Sequence, residues 1–423
     1  MKQYSRYIIL LIIGCTSVSG YAQDSLSYYL EKAALNNPGV KARYLEYLAA
    51  LEKVPQSASL PDPQLQLDYF IKPMELLGGN QVADVSLMQM FPWFGTLKAA
   101  KDEASKMAMA KFENFRNAKN ELYFNVKASY FKVYRTIKEI EIAEKNLGIM
   151  HSLEQLALVK FRTSEVMGGS MGENGKNDMV NLLRVQIEIH ELENRIALLK
   201  DQLITDKVSF NRFISRSASS EVSTGDSLMQ GPIPSEILTL TDSLVNHPMV
   251  KMYKAEAEAS AAKLDMVTRM GYPTIGLGLN YMFIQKRDGN TSMMNGKDMI
   301  MPMVSLTLPI YRKKYKAMRH EAEFMRDAST LSAENAANNL QVSFQQTMQN
   351  LYDADRRVKL YAKQAMLAEK SVQLLIRSFS ASSTDFIEVL QMQQQLLDYQ
   401  FKQVEAIADK NTSIAQVVYL TGN

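Results

Sequence analysis

Leu35-Asn36-Asn37-Pro38-Gly39-Val40-Lys41 returns later in the chain as Val245-Asn246-His247-Pro248-Met249-Val250-Lys251. At the same offset, Pro63-Gln64-Leu65-Gln66-Leu67 returns as Pro273-Thr274-Ile275-Gly276-Leu277, with no gap between the two landmarks. Each copy reads as a proline-closed turn, a helical stretch and a proline-led alternating strand. A repeat of this length points to two similar halves before any single residue's chemistry is considered. The divisions are a leader (1–22), a first repeat (23–214), a linker (215–240) and a second repeat (241–423).

Outward from the first strand, Leu65, Leu67, Tyr69 and Ile71 alternate with Gln66, Asp68, Phe70 and Lys72. That period of two predicts a strand with one apolar and one polar side. Pro73 to Gln81, with Gly78-Gly79, is expected to be a loop. Val82 to Met90 follows as a second strand, closed by Phe91-Pro92-Trp93-Phe94-Gly95. The second half offers strands over Thr274 to Gln285 and Met299 to Pro309, joined by a loop from Lys286 to Asp298.

After Gly95 nothing interrupts a helix until about Phe161, roughly 100 Å of rod at 1.5 Å per residue. Leu122, Val126, Ser129, Val133, Thr136 and Ile140 recur at alternating four and three spacing, a coiled-coil seam. A Gly-rich turn leads into a return helix with its own seam, from Leu182 to Leu203. A second rod spans Arg312 to Phe379, and its return helix runs from Asp385 to about Tyr419.

None of these helices offers the strands' apolar side a partner. Lipid does, because membrane barrel strands alternate apolar-out and polar-in over about 9–11 residues. Four strands are too few to close a barrel, and an open edge in lipid leaves backbone groups unpaired. The chain is therefore expected to oligomerise, with Phe91, Trp93, Phe94 and Tyr311 in an aromatic girdle.

Composition agrees with export and argues against several function classes. Net charge is +3 with no recognised basic block, which gives no support for nucleic-acid binding. Lys2 and Arg6 precede the apolar run Ile8 to Ile13 and the small residues before Ala22. Two readings stay open: a signal peptide cleaved after Ala22, or lipidation of the single cysteine, Cys15, in Ile12-Ile13-Gly14-Cys15. No later stretch reaches the ~20 apolar residues of a membrane helix. No phosphate-binding loop, nucleophile elbow or zinc-protease motif is present, so neither an enzyme nor a cofactor is expected. His151, His190, His247 and His320 lie far apart with no metal-ligand spacing, and His247 reads as a turn residue. Glu139, Glu141 and Glu144 lie on a rod among lysines and read as a solvated helix face.

Methionine is frequent, at 26 residues, and its placement leaves two readings open. Met299, Met301 and Met303 fall opposite Ile300, Val304 and Leu306, and Met282 takes the polar side of the third strand. Met88 and Met90 share a side with Asp84 and Ser86. If the apolar residues meet lipid, these methionines line a lumen and offer soft thioether ligands suited to Cu(I). Methionine is equally a flexible filler with no ligand role.

Together these features resemble the TolC-like outer-membrane efflux proteins, over essentially the whole mature chain. The most specific stretch is Phe379-Ser380-Ala381-Ser382-Ser383-Thr384-Asp385-Phe386-Ile387-Glu388-Val389-Leu390-Gln391-Met392-Gln393, where Ser382 replaces the glycine usual in that family. The resemblance implies a mainly α fold with a β-barrel part and two structural repeats. Four strands per subunit would join a trimeric twelve-stranded outer-membrane barrel, above long coiled-coil-like helices of a periplasmic α-barrel. It implies a periplasmic gate at Glu388 with Asp385 beside it. It also implies adaptor docking at the tips, on Phe161, Arg162, Thr163, Asp178, Phe379, Ser380 and Ser382. The first tip departs from this pattern: it is eleven residues longer, holds several glycines, and has Asn181 where the second has Glu388. The extra residues read either as a tolerated loop insertion or as an enlarged docking loop.

Leu60-Pro61-Asp62-Pro63-Gln64-Leu65 and the Phe-Pro-Trp-Phe-Gly segment are most similar to the heavy-metal branch of the family (copper/silver or cobalt–zinc–cadmium). The implied function is passive conduction from periplasm to exterior as the exit duct of a tripartite pump. Its implied partners are a homotrimer mate, a periplasmic adaptor, an RND-type or ABC-type inner-membrane transporter and outer-membrane lipid. The alternatives are the exit duct of a type I protein-secretion system and a pore-less periplasmic coiled-coil scaffold.

Overall fold

The computed structural model describes residues 26–167, 173–225, 228–234, 244–380 and 386–422. The leader, with Cys15 and Ala22, therefore lies outside the described residues, as do Ser382 and Asp385. Helices α1 (Leu26–Asn36) and α2 (Pro38–Ala58) lead into strands β1 (Gln64–Leu76) and β2 (Gly79–Phe91). The long hairpin α3 (Thr96–Met167) and α4 (Glu173–Ile214) follows. The second half repeats the order with α5 (Pro248–Met270), β3 (Thr274–Gln285), β4 (Met299–Thr307), α6 (Arg312–Ser380) and α7 (Phe386–Leu420).

The strands form one antiparallel sheet in the order β1-β2-β3-β4. Helices α2, α3, α5 and α6 pack side by side in the same order, so each strand continues into a helix of matching position. The seams read from the sequence are the ones that close. Val126, Val133 and Ala143 of α3, Val185 and Ile189 of α4, and Leu340, Phe344 and Leu351 of α6 are all buried. No helix among the described residues is long and apolar enough to cross a membrane.

Two expectations need correction. Pro73 to Gln81 is not a loop: β1 runs to Leu76, and Met74, Glu75 and Leu76 pair with Gln81, Asn80 and Gly79. Backbone pairing across a short turn overrides Pro73, and the strain falls on Gly79, whose φ of 124° suits glycine alone. The described flanks of the insertion at the first tip are helical, with α3 extended to Met167 and α4 begun at Glu173. Helices this long propagate cheaply once nucleated, so the flanks of an insertion join them even with Gly175 inside the second.

The described part of the linker, 215–225 and 228–234, is tied down by side chains. Asn211 Nδ2 donates to the Ala218 and Ser220 carbonyls at 3.1 and 2.8 Å, and the Gly225 N–H donates to Tyr130 Oη at 2.6 Å. From α7, Asn411 Nδ2 donates to the Met229 carbonyl at 3.0 Å, and Lys410 Nζ donates to that of Gly231. Backbone groups that no helix or strand satisfies thus find side-chain partners.

The repeated turns carry out one task with two residues. Asn37 caps α2, its Oδ1 accepting from the Gly39 and Val40 N–H groups at 2.9 and 3.2 Å. His247 caps α5 with Nδ1, which accepts from the Met249 N–H at 3.2 Å. That lone pair requires an imidazole unprotonated at Nδ1. The ring is buried edge-on to Tyr419, and burial pushes its pKa from 6.5 down to about 4, partly offset by the Tyr419 backbone. The unfolded chain takes up the proton first as pH falls. The stability that comes from burying the neutral His247 ring is therefore whole above pH 6.5, shrinks towards pH 4 and is gone below it. The loss amounts to about 3 kcal/mol. His247→Asn keeps a capping acceptor without the titration, so thermal unfolding of the variant should lose less stability across this pH window. Superimposable pH profiles would remove His247 from the acid response.

Candidate functional site: a two-faced sheet and a helical tip

Register sorts the sheet into two chemically opposite faces. One carries Leu65, Leu67 and Tyr69 of β1, opposite Leu87, Val85 and Ala83 of β2. It continues through Leu279 and Tyr281 to Pro302 and Ile300, and through Leu277 to Val304. Apart from Gln89 of β2, which lies opposite Leu277, every member is apolar or aromatic, yet this face is bare: Ile71 is 91% exposed and Val304 75%. An exposed apolar patch of this extent marks a surface made for lipid or for another chain. The outer edges of β1 and β4 have no partner strand among the described residues.

The other face is built in rows across the sheet. Asp68, Asp84, Met282 and Met299 form one row; Gln66, Ser86, Asn280 and Met301 form the next. A third row holds Gln64, Met88, Gly278 and Met303. The Asp68–Asp84 juxtaposition was not legible in the sequence, because only register sets which carboxylates meet. Gln66 Nε2 donates to Asp68 Oδ2 at 2.8 Å, and Gln81 Nε2 to Asp84 Oδ2 at 3.1 Å.

The four methionines predicted to bind metal do not converge. Met282 lies directly opposite Met299, but Met301 faces Asn280 and Met303 faces Gly278. Successive residues on one face of a strand are about 7 Å apart, so the β4 methionines form a ladder along the sheet. Sulfur is gathered instead at Met88 and Met90. Ser305 Oγ lies 3.3 Å from Met88 Sδ and 3.8 Å from Met90 Sδ, above Gly276. A Cβ at Gly276 would collide with Ser305 Oγ and lie 2.7 Å from Met90 Sδ. The glycines on the polar side of β3 are therefore the seats of the neighbouring strands' longer side chains. Gly276 and Gly278 at alternating positions were the available sequence signal.

At the far end of the helices, the second tip is closed by aromatic rings. Phe379 and Phe386 meet at 4.8 Å between centroids, and Lys160 Nζ sits 4.0 Å from the Phe379 centroid. Phe379, placed among the adaptor contacts by resemblance, is only 5% exposed and belongs to the core with Val389 and Leu182. Its role is to join the two hairpins, which frees Arg162 and Thr163 as the exposed part of that set, with Phe161 and Asp178 half-buried. The Ser380 side chain lies outside the described residues. Glu388 is exposed in the first turn of α7 and lines a groove with Ser371, Leu374, Gln391 and Gln395. Among the described residues it has no ion-pair partner, so its charge is available to whatever passes or docks there. Asn181, its counterpart in the first repeat, is half-buried.

No protein-family model matches this sequence, and no curated protein does. Solved structures match along the chain. The outer-membrane channel OprN aligns at a TM-score of 0.75 and 14% identity, covering 94% of this chain and 89% of its own. CusC, whose structures concern folding and transmembrane channel formation, aligns at 0.75 and 14% identity, covering 100% and 99%. The outer-membrane protein VceC of Vibrio cholerae aligns at 0.73 and 12% identity, covering 94% and 96%. At such identities the likeness concerns the fold. This chain has the fold of the TolC-like outer-membrane efflux channels.

Proposed function

We propose that the chain is one subunit of an outer-membrane exit duct for a tripartite efflux pump. The observation that carries this reading is the sheet: one face apolar but for Gln89 and bare, one face polar, and two edges unpaired among the described residues. Three copies joined β4 to β1 would close twelve strands, put the apolar face in lipid and leave no open edge. The helices, in the same order as the strands, would continue the wall into the periplasm. An adaptor and an RND-type or ABC-type inner-membrane transporter would engage the tip, supplying the energy that a passive duct lacks.

In this trimer three Glu388 side chains would face one opening and hold cations at its mouth. Glu388→Ala removes three charges per trimer, so it should change single-channel conductance in planar bilayers and weaken block by multivalent cations by at least about tenfold. Wild-type conductance and block in the variant would remove Glu388 from the gate. Absence of any conductance from the wild-type trimer would sink the duct itself.

The polar face favours soft metal ions as cargo, because Met282 and Met299 pair across it while Met88 and Met90 crowd Ser305. Cells lacking the protein should then become sensitive to copper or silver and keep normal resistance to dyes and detergents. Equal sensitivity to all of them would return the methionines to a packing role.

A further inference from the structure

Where β4 gives way to α6, the chain reads Arg312-Lys313-Lys314-Tyr315-Lys316-Ala317-Met318-Arg319. This run is a basic block, contrary to the expectation from net charge. Five cations stand in the first turns of a 69-residue helix that has no acidic residue in its first turn. The helix macrodipole disfavours positive charge there, so the arrangement opposes its own surroundings. Neighbouring acids do not relieve it. Glu321 pairs with Lys263 at 2.7 Å, Glu323 with His320 at 3.0 Å, and Asp265 with Arg269 at 3.0 Å. Among the described residues, none of the five cations has an ion-pair partner.

The cations are also gathered by the fold. α6 packs against the end of α5, and the groove between them is a cavity of about 340 Å³. Thr268 and Tyr272 line one wall and Arg312, Lys313, Lys316 and Arg319 the other. No carboxylate lines it. Its height in the molecule identifies the occupant. β4 ends at Thr307, just above. Tyr272 stacks on Trp93 at 5.3 Å between centroids, and Phe94 and Tyr311 are 79% and 78% exposed beside the bare apolar face. Aromatic residues with one wet end sit at the level of lipid headgroups, and basic pockets at that level bind anionic ones.

We infer that this groove binds the phosphodiester headgroup of an anionic phospholipid in the periplasm-facing leaflet, tying each subunit to the membrane at a fixed depth. The inference rests on the membrane-embedded reading of the sheet. The Arg and Lys side chains would supply charge-assisted hydrogen bonds to the phosphate oxygens, and Tyr272 and Thr268 hydroxyl donors. The acyl chains would lie along the apolar face above.

The test compares the full-length protein with the variant Lys313→Gln/Lys316→Gln/Arg319→Gln, whose exposed, helix-compatible substitutions leave packing intact. Delipidated protein in neutral detergent is titrated with phosphatidylglycerol, phosphatidylcholine or inorganic phosphate, and retained lipid is counted by native mass spectrometry. Each protein is also scored for conductance in planar bilayers. The wild type should retain phosphatidylglycerol over phosphatidylcholine by at least about tenfold, and the variant should lose that preference while still conducting. A conducting wild type without lipid preference, or a variant that keeps the preference, overturns the inference and leaves the duct reading standing. Displacement of the lipid by millimolar phosphate would make the groove a free-anion site instead. An unchanged lipid preference with altered anion selectivity of the channel would place the cations in the lumen. A wild type that neither inserts nor conducts overturns the duct reading and the inference together.

Discussion

Lys410→Met should destabilise the protein by about 3 kcal/mol, the scale of removing one partner from a buried ion pair. Lys410 is 0% exposed. Its Nζ donates to Asp355 Oδ1 at 2.7 Å and to the Gly231 carbonyl, joining α6, α7 and the linker at one point. Hydrogen bonds from Lys359 and then Lys410 hold the Asp355 carboxyl below its usual range. Methionine keeps most of the stem's volume but leaves the Gly231 carbonyl unpaired and Asp355 dependent on the exposed Lys359. Denaturant unfolding of the detergent-solubilised protein should show the loss, and limited proteolysis should cut the freed linker first. The double variant Lys410→Met/Asp355→Leu should recover part of it, because a buried charge without a partner is the costly species. Stability of the single variant within about 1 kcal/mol of wild type would mean that the pair only breaks even.

Leu279→Lys should be the more disruptive change for assembly in a membrane. Leu279 sits mid-strand between Leu87 and Pro302 on the bare apolar face, and a lysine at the middle of the hydrocarbon costs about 2–4 kcal/mol per subunit. Asn280, one residue on, lies between Ser86 and Met301 on the opposite face. Asn280→Lys should fold into liposomes with a yield near that of wild type. The paired comparison controls for the lysine itself. If Asn280→Lys fails while Leu279→Lys assembles, the faces have been assigned the wrong way round.

How far the sequence could be read depended on the range of the interaction concerned. The period of two in β1 and β3 and the four-three seams of α3, α4 and α6 were visible, because side-chain direction is set by the backbone's own geometry. The equivalence of Asn37 and His247 was visible for the same reason: a cap acts within three residues. Pro73 to Gln81 forms paired strand where its turn residues suggest a loop, because the ladder Met74–Gln81 to Leu76–Gly79 outweighs local turn signals. Resemblance assigns Phe379 to a partner because it names only a position. Only packing of α6 against α7 shows the ring turned inward onto Phe386.

Two repeats, four strands, two long helical hairpins and the turns that start each half follow from the residues' own order. All are local patterns multiplied along the chain. The tertiary structure decided which residues meet. Asp68 faces Asp84, Met88 and Met90 share Ser305, Lys410 finds Asp355, and the cations of α6 line a groove with α5. Each of these depends on register or helix contact between segments far apart in the chain, and periodicity carries no information about the partner's phase.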